Sequence, residues 1–459
     1  MAVKRYDGSA WQVVAGKGDQ GTSSSIATWV KTASGGETSL SGNDDNSQPL
    51  SYTVGQELVF INGALQKRGV DYTATTGASI TGLTALVAND VVTVWTVNAF
   101  SVANTYTQAQ VDAAFVNNTN YWAAGKNKFI NGDFYINQRG FTSVTATGTF
   151  TFDRWKTSLS GGTVTFTPQT FTAGTAPVSG YEGKNYLRIV TSGQSAAADF
   201  AAFFQPIESV RTFAGQTVTV SFWAKAASGT PNIGLDIVQN FGTGGSPSAS
   251  VDNVATKQAI TTSWARYSFT VNVASISGKT IGTAGDDRVA PIIFVSAGSD
   301  RNAVTDTIGI QNNTFEFWGI QIEAGSTATA FQTATGTLQG ELAACQRYYY
   351  RTGANDSAAY GILTGTGWAD DTTSTIAILP LPVTMRVAPT AVDYPTLSTL
   401  RTYGYGGAQA LTALTLGSQT SANFVYLDGT NTSTITAGAV QYLTKNNSAT
   451  AYIGVTAEL

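Results

Sequence analysis

Val218-Thr219-Val220-Ser221-Phe222-Trp223-Ala224-Lys225 reads as an extended strand. Val218, Val220 and Phe222 fall on one face of an extended chain, and Thr219, Ser221 and Trp223 on the other, which is the period-2 signature. The alternation recurs downstream, first as Ile233, Leu235 and Ile237, then as Tyr267, Phe269, Val271 and Val273 set against Arg266, Ser268, Thr270 and Asn272. Gly/Asn/Ser/Pro turns separate these runs and no βαβ rhythm appears, so residues 128–337 read as an antiparallel β-sandwich of the jelly-roll kind.

Other β signals lie on both sides of this block. Leu58-Val59-Phe60-Ile61 runs into Asn62-Gly63, a strong hairpin signal, and Val91–Val97 closes a small β-sandwich domain over 26–100. Residues 1–25 lack a core of their own and read as an arm. Within 101–127, Thr107 can cap a short amphipathic helix bearing Val111, Phe115 and Trp122, a length that needs packing partners. Leu338, Leu342, Cys345 and Tyr349 share one helical face, giving a second helical connector over 338–351. Residues 352–459 return to strands such as Thr375–Leu379 and Asn423–Leu427. The expected fold class is therefore mainly β: a multi-domain fibre of antiparallel sandwich or jelly-roll domains joined by short helical connectors.

Composition narrows the chemistry. In 459 residues there is no His and a single Cys, Cys345, which removes Ser-His-Asp triads, Cys-His pairs and HExxH zinc helices as intrachain sites. Charged residues make up 12% against a typical ~25%, and 48 residues are Gly. A net charge of −4 with no basic stripe argues against a duplex nucleic-acid partner. No apolar run reaches the length of a membrane span, and the start carries no secretory signal.

Several stretches resemble bacteriophage tail-fibre and receptor-binding proteins, in the order those proteins show. Met1-Ala2-Val3-Lys4-Arg5-Tyr6-Asp7-Gly8 is similar to the opening of many phage fibres. Phe60-Ile61-Asn62-Gly63 with Gly69-Val70-Asp71-Tyr72-Thr73 resembles their small N-terminal β-domain. Lys128–Phe134 and Val220–Lys225 resemble jelly-roll strands of carbohydrate-binding modules, and Phe317–Gly325 the strand that closes this domain in tail proteins. Glu341–Tyr349 continues the phage pattern, and Pro382–Arg386 with Ala388-Pro389-Thr390 resembles the start of a C-terminal fibre domain. The resemblance implies a virion tail protein that attaches to the host by binding a surface glycan without catalysis. It implies an N-terminal arm, with Tyr6 and Trp11, that docks on a tail or baseplate protein. A tailspike that cuts host polysaccharide and a purely structural fibre or decoration protein stay open as alternatives.

Two residue classes bear on the choice. The acidic doublets Asp44-Asp45, Asp286-Asp287 and Asp370-Asp371 could supply the two carboxylates of a glycosidase, but all lie in Gly/Ser/Thr-rich turn sequence, where Asp serves the backbone. Aromatic rings stack on sugar faces. Trp223, Trp264 and Arg266 lie on the polar phase of their strands and are the candidates in the jelly roll. Trp368, Tyr403 and Tyr405 are the candidates in 352–459, which is read as a receptor-binding β-tip, with Tyr403-Gly404-Tyr405-Gly406-Gly407 as a mobile aromatic loop. Trp95, Trp155 and Trp318 sit in apolar contexts and are expected in cores. No cofactor is required. The resembling modules often hold a structural calcium, for which Asp133 approximates one ligand, although Glu316-Phe317-Trp318 replaces their usual paired Asp. The helical stripes, and a tip carrying only Arg401, Asp428, Lys445 and Glu458 as charges after residue 400, fit a parallel homotrimer.

Overall fold

The computed structural model describes residues 3–6, 11–15, 26–97, 125–178, 180–353 and 357–459. The chain forms two compact units, Met1–Asn118 and Thr119–Leu459. Among the described residues both are built of antiparallel sheets with little helix, the mainly β, multi-domain architecture that the alternation predicts. No helix among the described residues is long and apolar enough to cross a membrane. The helix expected within 101–127, capped by Thr107 and bearing Val111, Phe115 and Trp122, lies outside the described residues.

In the first unit, Val3–Tyr6 pairs with Trp11–Ala15 in a hairpin that sets Tyr6 opposite Trp11 in register. A four-stranded sheet follows, in the order Ile26–Thr32, Val91–Val97, Glu57–Ile61, Ala64–Leu65. Asn62 and Gly63 both have positive φ, 54° and 83°, as a two-residue type I′ turn requires. Val59, Val92 and Val94 face a core that includes Trp29, Tyr72 and Ile80. Trp95 is not in that core. It is 42% exposed and packs on Phe60 at 5.0 Å, because the period of two that buries Val92 and Val94 turns position 95 outward.

The second unit begins with a two-sheet jelly roll. One sheet runs Thr163–Thr170, Asn185–Ser192, Thr314–Ala324, Thr217–Ala226, Ala265–Asn272. The other runs Gln258–Ala259, Asn232–Asn240, Arg288–Ala297, Phe200–Phe204, Lys156–Ser160, with Ile207–Glu208 added to Arg288–Ala297. From Asn185 onward the long strands alternate between the sheets, so each crossing closes the core further. Phe166, Phe203, Phe222, Phe317 and Trp155 fill the space between them. The polar phase is buried too. Thr219 and Ser221 are covered because the chain after Ala324 folds back over the sheet: the Thr219 hydroxyl donates to the Gly325 carbonyl at 2.8 Å, and Glu323 accepts from the Thr329 N–H at 2.9 Å.

The segment before the first strand is anchored by buried amides. Asn127 makes four hydrogen bonds: Oδ1 accepts from the N–H groups of Phe129 and Ile322, both at 3.0 Å, and Nδ2 donates to the carbonyls of Ile320 at 3.1 Å and Gln332 at 2.9 Å. Asn131 Oδ1 accepts from Ile136 N–H at 2.8 Å, and its Nδ2 donates to the carbonyls of Ile136 and Asp153. Each amide does the work of a short piece of sheet ladder where the backbone itself is irregular.

The helix over 338–351 is shorter than the spacing suggests. It covers Leu338–Gln346, and Tyr349–Thr352 is a strand. Its inward residues are Glu341 and Cys345, while Leu338 is exposed and Leu342 half-buried. The polar anchor explains the rotation: Glu341 accepts from the N–H groups of Asn131 at 2.8 Å and Thr335 at 2.7 Å, and from the Thr335 hydroxyl at 2.9 Å.

Past the helix, Tyr349–Thr352, Ile453–Thr456 and Ala391–Asp393 form a three-stranded sheet. A closed six-stranded barrel runs Gly367–Ala369, Ser374–Pro380, Phe424–Asn431, Gly407–Leu416, Leu400–Gly404, Val440–Lys445. Closure leaves no free edge, and Leu379, Leu400, Val425, Leu427 and Leu443 fill its core.

Candidate functional site

The barrel wall carries several exposed rings. Tyr403 is 51% exposed, Tyr405 75% and Trp368 39%. Tyr403 and Gly404 belong to a strand, so the expected mobile loop is instead a tight hairpin: Gly404 pairs with Gly407, and only Tyr405 and Gly406 form the turn. Gly406, at φ 96°, supplies the left-handed position of that turn, and Tyr405 projects at its tip.

Strand pairing brings two of the expected residues onto one strip. Tyr403 lies opposite Tyr442, and Trp368 opposite Val440. Val440 and Tyr442 are two apart on one strand and share its outward face. The strip Tyr403–Tyr442–Val440–Trp368 thus crosses three strands. Tyr426 extends it, edge-on to Trp368 at 6.1 Å, and the Arg401 guanidinium lies over the rings of Tyr360 at 4.7 Å and Tyr403 at 5.6 Å. Tyr360, Arg401, Tyr426, Val440 and Tyr442 were missed in the sequence, because their joining depends on the order of barrel strands rather than on any local spacing. Chemically the strip offers ring faces, phenol hydroxyls and one guanidinium.

The jelly-roll candidates are packed more deeply. Trp223 is half-buried, with the Arg266 guanidinium 4.7 Å above its ring, Trp318 at 5.5 Å and Phe331 at 6.1 Å. Arg266 donates to the Ser221 hydroxyl at 3.0 Å and to the Thr329 carbonyl, pinning the covering segment down. Trp264 is half-buried at the other end of the same ring cluster, against Phe171 at 5.7 Å, Tyr186 at 5.6 Å and the Lys225 ammonium at 5.4 Å, with Phe171 in turn edge-on to Trp318. Beside it Glu316 bridges Arg188 and Lys225. Trp155 and Trp318 are fully buried.

The acidic doublets serve the backbone. Asp44 accepts from the N–H groups of Val30, Asn46 and Gln48, Asp287 from Val210 N–H, Asp286 from Thr243, and Asp371 from Thr373 and Ser374. At Asp133, the position matched to a calcium ligand, the neighbours are donors: the Tyr181 hydroxyl at 3.0 Å and the Tyr135 N–H at 3.4 Å. Among the described residues no group of three or more His, Cys, Asp or Glu is arranged to hold a metal ion.

One acidic pair had not been singled out. Asp236, buried in mid-strand, lies beside Asp252 and accepts from Asn253 N–H at 2.9 Å. Burial first, then the negative charge of Asp252, push the Asp236 carboxyl up to about 7. A folded-state value above the unfolded ~3.9 means that the folded chain retains the proton the unfolded chain has lost, so stability falls as pH rises from about 4 to 7. Asp236→Asn is expected to melt like wild type at pH 4 and to gain on the order of 2–4 kcal/mol by pH 8. Equal differences at both pH values in thermal melts would contradict this assignment.

No protein-family model and no curated protein matches the sequence. Solved structures overlay part of it. Tailspike protein 4 of bacteriophage CBA120, in its enzymatically active domain, aligns over 44% of this chain and 22% of its own, at 14% identity and a TM-score of 0.26. The family 11 carbohydrate-binding module of Clostridium thermocellum aligns over 41% of this chain and 99% of its own, at 10% identity and a TM-score of 0.25. The CBM22-1 xylan-binding domain of Paenibacillus barcinonensis aligns over 45% and 98%, at 13% identity and a TM-score of 0.23. This chain thus spans about a fifth of the tailspike domain.

Proposed function

We propose that this chain is a bacteriophage tail fibre that attaches the virion to its host by non-covalent binding of a surface glycan. The observation that carries the reading is the exposed aromatic strip on the barrel, with Tyr405 projecting from the hairpin beside it. Large rings held in water by strand pairing are costly to leave bare, and they match the apolar C–H faces of sugars. The order of the resembling motifs along the chain supports assignment to a tail. In this reading the hairpin with Tyr6 and Trp11 docks on the tail or baseplate, the chain assembles as a parallel homotrimer, and no bond is broken. Repeated copies on a virion raise avidity without new contacts.

Cell binding tests the reading. Replacing Trp368, Tyr403 and Tyr405 together with Ala removes three stacking contacts of roughly 0.5–1.5 kcal/mol each, which corresponds to a loss of about 10- to 1,000-fold in affinity for host cells. The melting temperature is expected to stay near wild type because all three rings are exposed. Undiminished binding by a folded triple variant would reject the strip as the receptor contact.

A further inference from the structure

A cleft runs between the helix Leu338–Gln346 and the segments 133–138 and 180–184. One end is a cavity of about 350 Å³ whose lining includes Asp133, Tyr181, Glu182 and Glu341. The other is a cavity of about 670 Å³ along Asn137, Gln339, Leu342 and Gln346. Tyr135, Lys184 and Leu338 border both, so the two cavities adjoin.

The two buried acids at the first end differ. Glu341 is held by the three donors that fix the helix to the Asn131 loop and Thr335. Asp133 is only 8% exposed and receives two donors, one of them long at 3.4 Å. An ionised carboxylate has about four acceptor sites, so Asp133 keeps acceptor capacity in a place where water is scarce. Its burial raises the carboxyl above its ordinary range, which measures how poorly the surroundings compensate the charge. No described Lys or Arg forms an ion pair with it. Two adjacent hydroxyl groups would supply the missing donors. Tyr135, which is 39% exposed, and Tyr181 offer ring faces, and the amides of Asn137, Gln339 and Gln346 along the second cavity can both donate and accept. A sugar carrying a carboxylate would meet three acids at the first cavity, Asp133, Glu182 and Glu341, against the single ammonium of Lys184, so a neutral residue is favoured at Asp133, while Arg351 lies at the second cavity.

We propose that this cleft is a second glycan site, which seats a neutral sugar residue through vicinal hydroxyls on Asp133 and runs the following residues of the chain along the helix past Leu338. The proposal rests on the glycan-binding reading above and uses different residues from the barrel strip.

Calorimetric titration of the full chain tests it, with neutral tetrasaccharides of the β-glucan, α-glucan and N-acetylglucosamine types and with tetragalacturonate as the acidic probe. The Trp368/Tyr403/Tyr405 triple variant is expected to retain binding of a neutral probe. In that background Asp133→Asn and Leu338→Arg should each weaken binding at least tenfold, and tetragalacturonate should not bind. Leu338 is exposed, so its replacement blocks the cleft without depending on buried hydrogen bonds. Binding that survives both cleft substitutions, or preference for the acidic probe, overturns the second site. Loss of all binding in the triple variant also overturns it while leaving the barrel strip intact. A wild-type chain that binds no neutral probe overturns the second site, and one that also fails to bind host cells overturns the barrel strip as well.

Discussion

Glu458→Ala is expected to destabilise the second unit by about 3–5 kcal/mol, because it strands buried positive charge. Glu458 lies between two guanidinium groups, Arg139 at 3.0 Å and Arg154 in direct contact, and the side chain of Arg154 is only 1% exposed. Each arginine is stacked on an aromatic ring, Arg154 3.4 Å from the Tyr348 centroid and Arg139 3.6 Å from that of Tyr349. Arg154 also donates to the Pro206 carbonyl at 2.6 Å, so it cannot swing out to water without breaking that bond. From the barrel side, Arg386 donates to the carbonyls of Ala457 and Glu458, and Ala457 N–H donates to Tyr348. These contacts lock the strand Ile453–Thr456 and the residues after it onto the jelly roll. The melting temperature should fall by roughly 5–12 °C. Arg154→Met combined with Glu458→Leu should recover part of the loss, since it removes the more deeply buried charge and leaves only Arg139, whose side chain is 17% exposed, without its carboxylate. A Glu458→Ala protein that melts like wild type would show that the arginines are solvated by another route.

The same lock bears on how the barrel can be studied. Removing residues 352–459 would take away Glu458 as well as the barrel, so loss of function in such a deletion would report jelly-roll stability as much as receptor contact. Point substitutions on the exposed strip avoid this, and Tyr405 is the cleanest because its side chain packs on least.

Strands were legible wherever apolar and polar residues alternate. Val218, Val220 and Phe222 against Thr219, Ser221 and Trp223 marked the two faces of a strand, and Asn62-Gly63 marked the hairpin. What could not be read was cover supplied from a distance. Thr219 and Ser221 look like solvent positions, yet the segment after Ala324, which has little apolar signal, seals them through hydrogen bonds to Gly325 and Arg266. Trp95 erred the other way: an apolar context suggested a core, but strand phase decides exposure. The inward face of the helix was misjudged because a carboxylate, Glu341, is the residue that docks it. For the candidate site, Tyr403, Tyr405 and Trp368 were visible as aromatics among glycines, whereas Tyr442 and Val440, which join two of them, appear only once the barrel closes. Trp223 and Arg266 were seen as a pair but prove to be clamped under Thr329 and Phe331.

Gly132 shows how a motif can be visible while its physical reason is not. A Cβ at this position would lie 2.1 Å from the Ile320 carbonyl oxygen, inside any permitted contact. The atom in the way is backbone in the middle of the strand Thr314–Ala324, so it cannot rotate aside. That carbonyl also accepts from Asn127 Nδ2 at 3.1 Å, and Ile320 N–H donates to Gly132 at 2.8 Å. Any shift that admits a methyl group therefore strains two buried hydrogen bonds as well as the strand. Gly132→Ala is expected to cost about 3–4 kcal/mol, at the upper end for a single overpacked site because backbone must move. Gly193→Ala provides the contrast: φ there is 67° with nothing within 4 Å of the added carbon, so only the left-handed backbone is penalised, by about 1–2 kcal/mol. Urea titrations of both variants separate steric exclusion from conformational cost. A Gly132→Ala protein no less stable than Gly193→Ala would mean that the Asn131–Asp133 turn can retreat from the strand, and that the turn is not pinned by the Ile320 backbone.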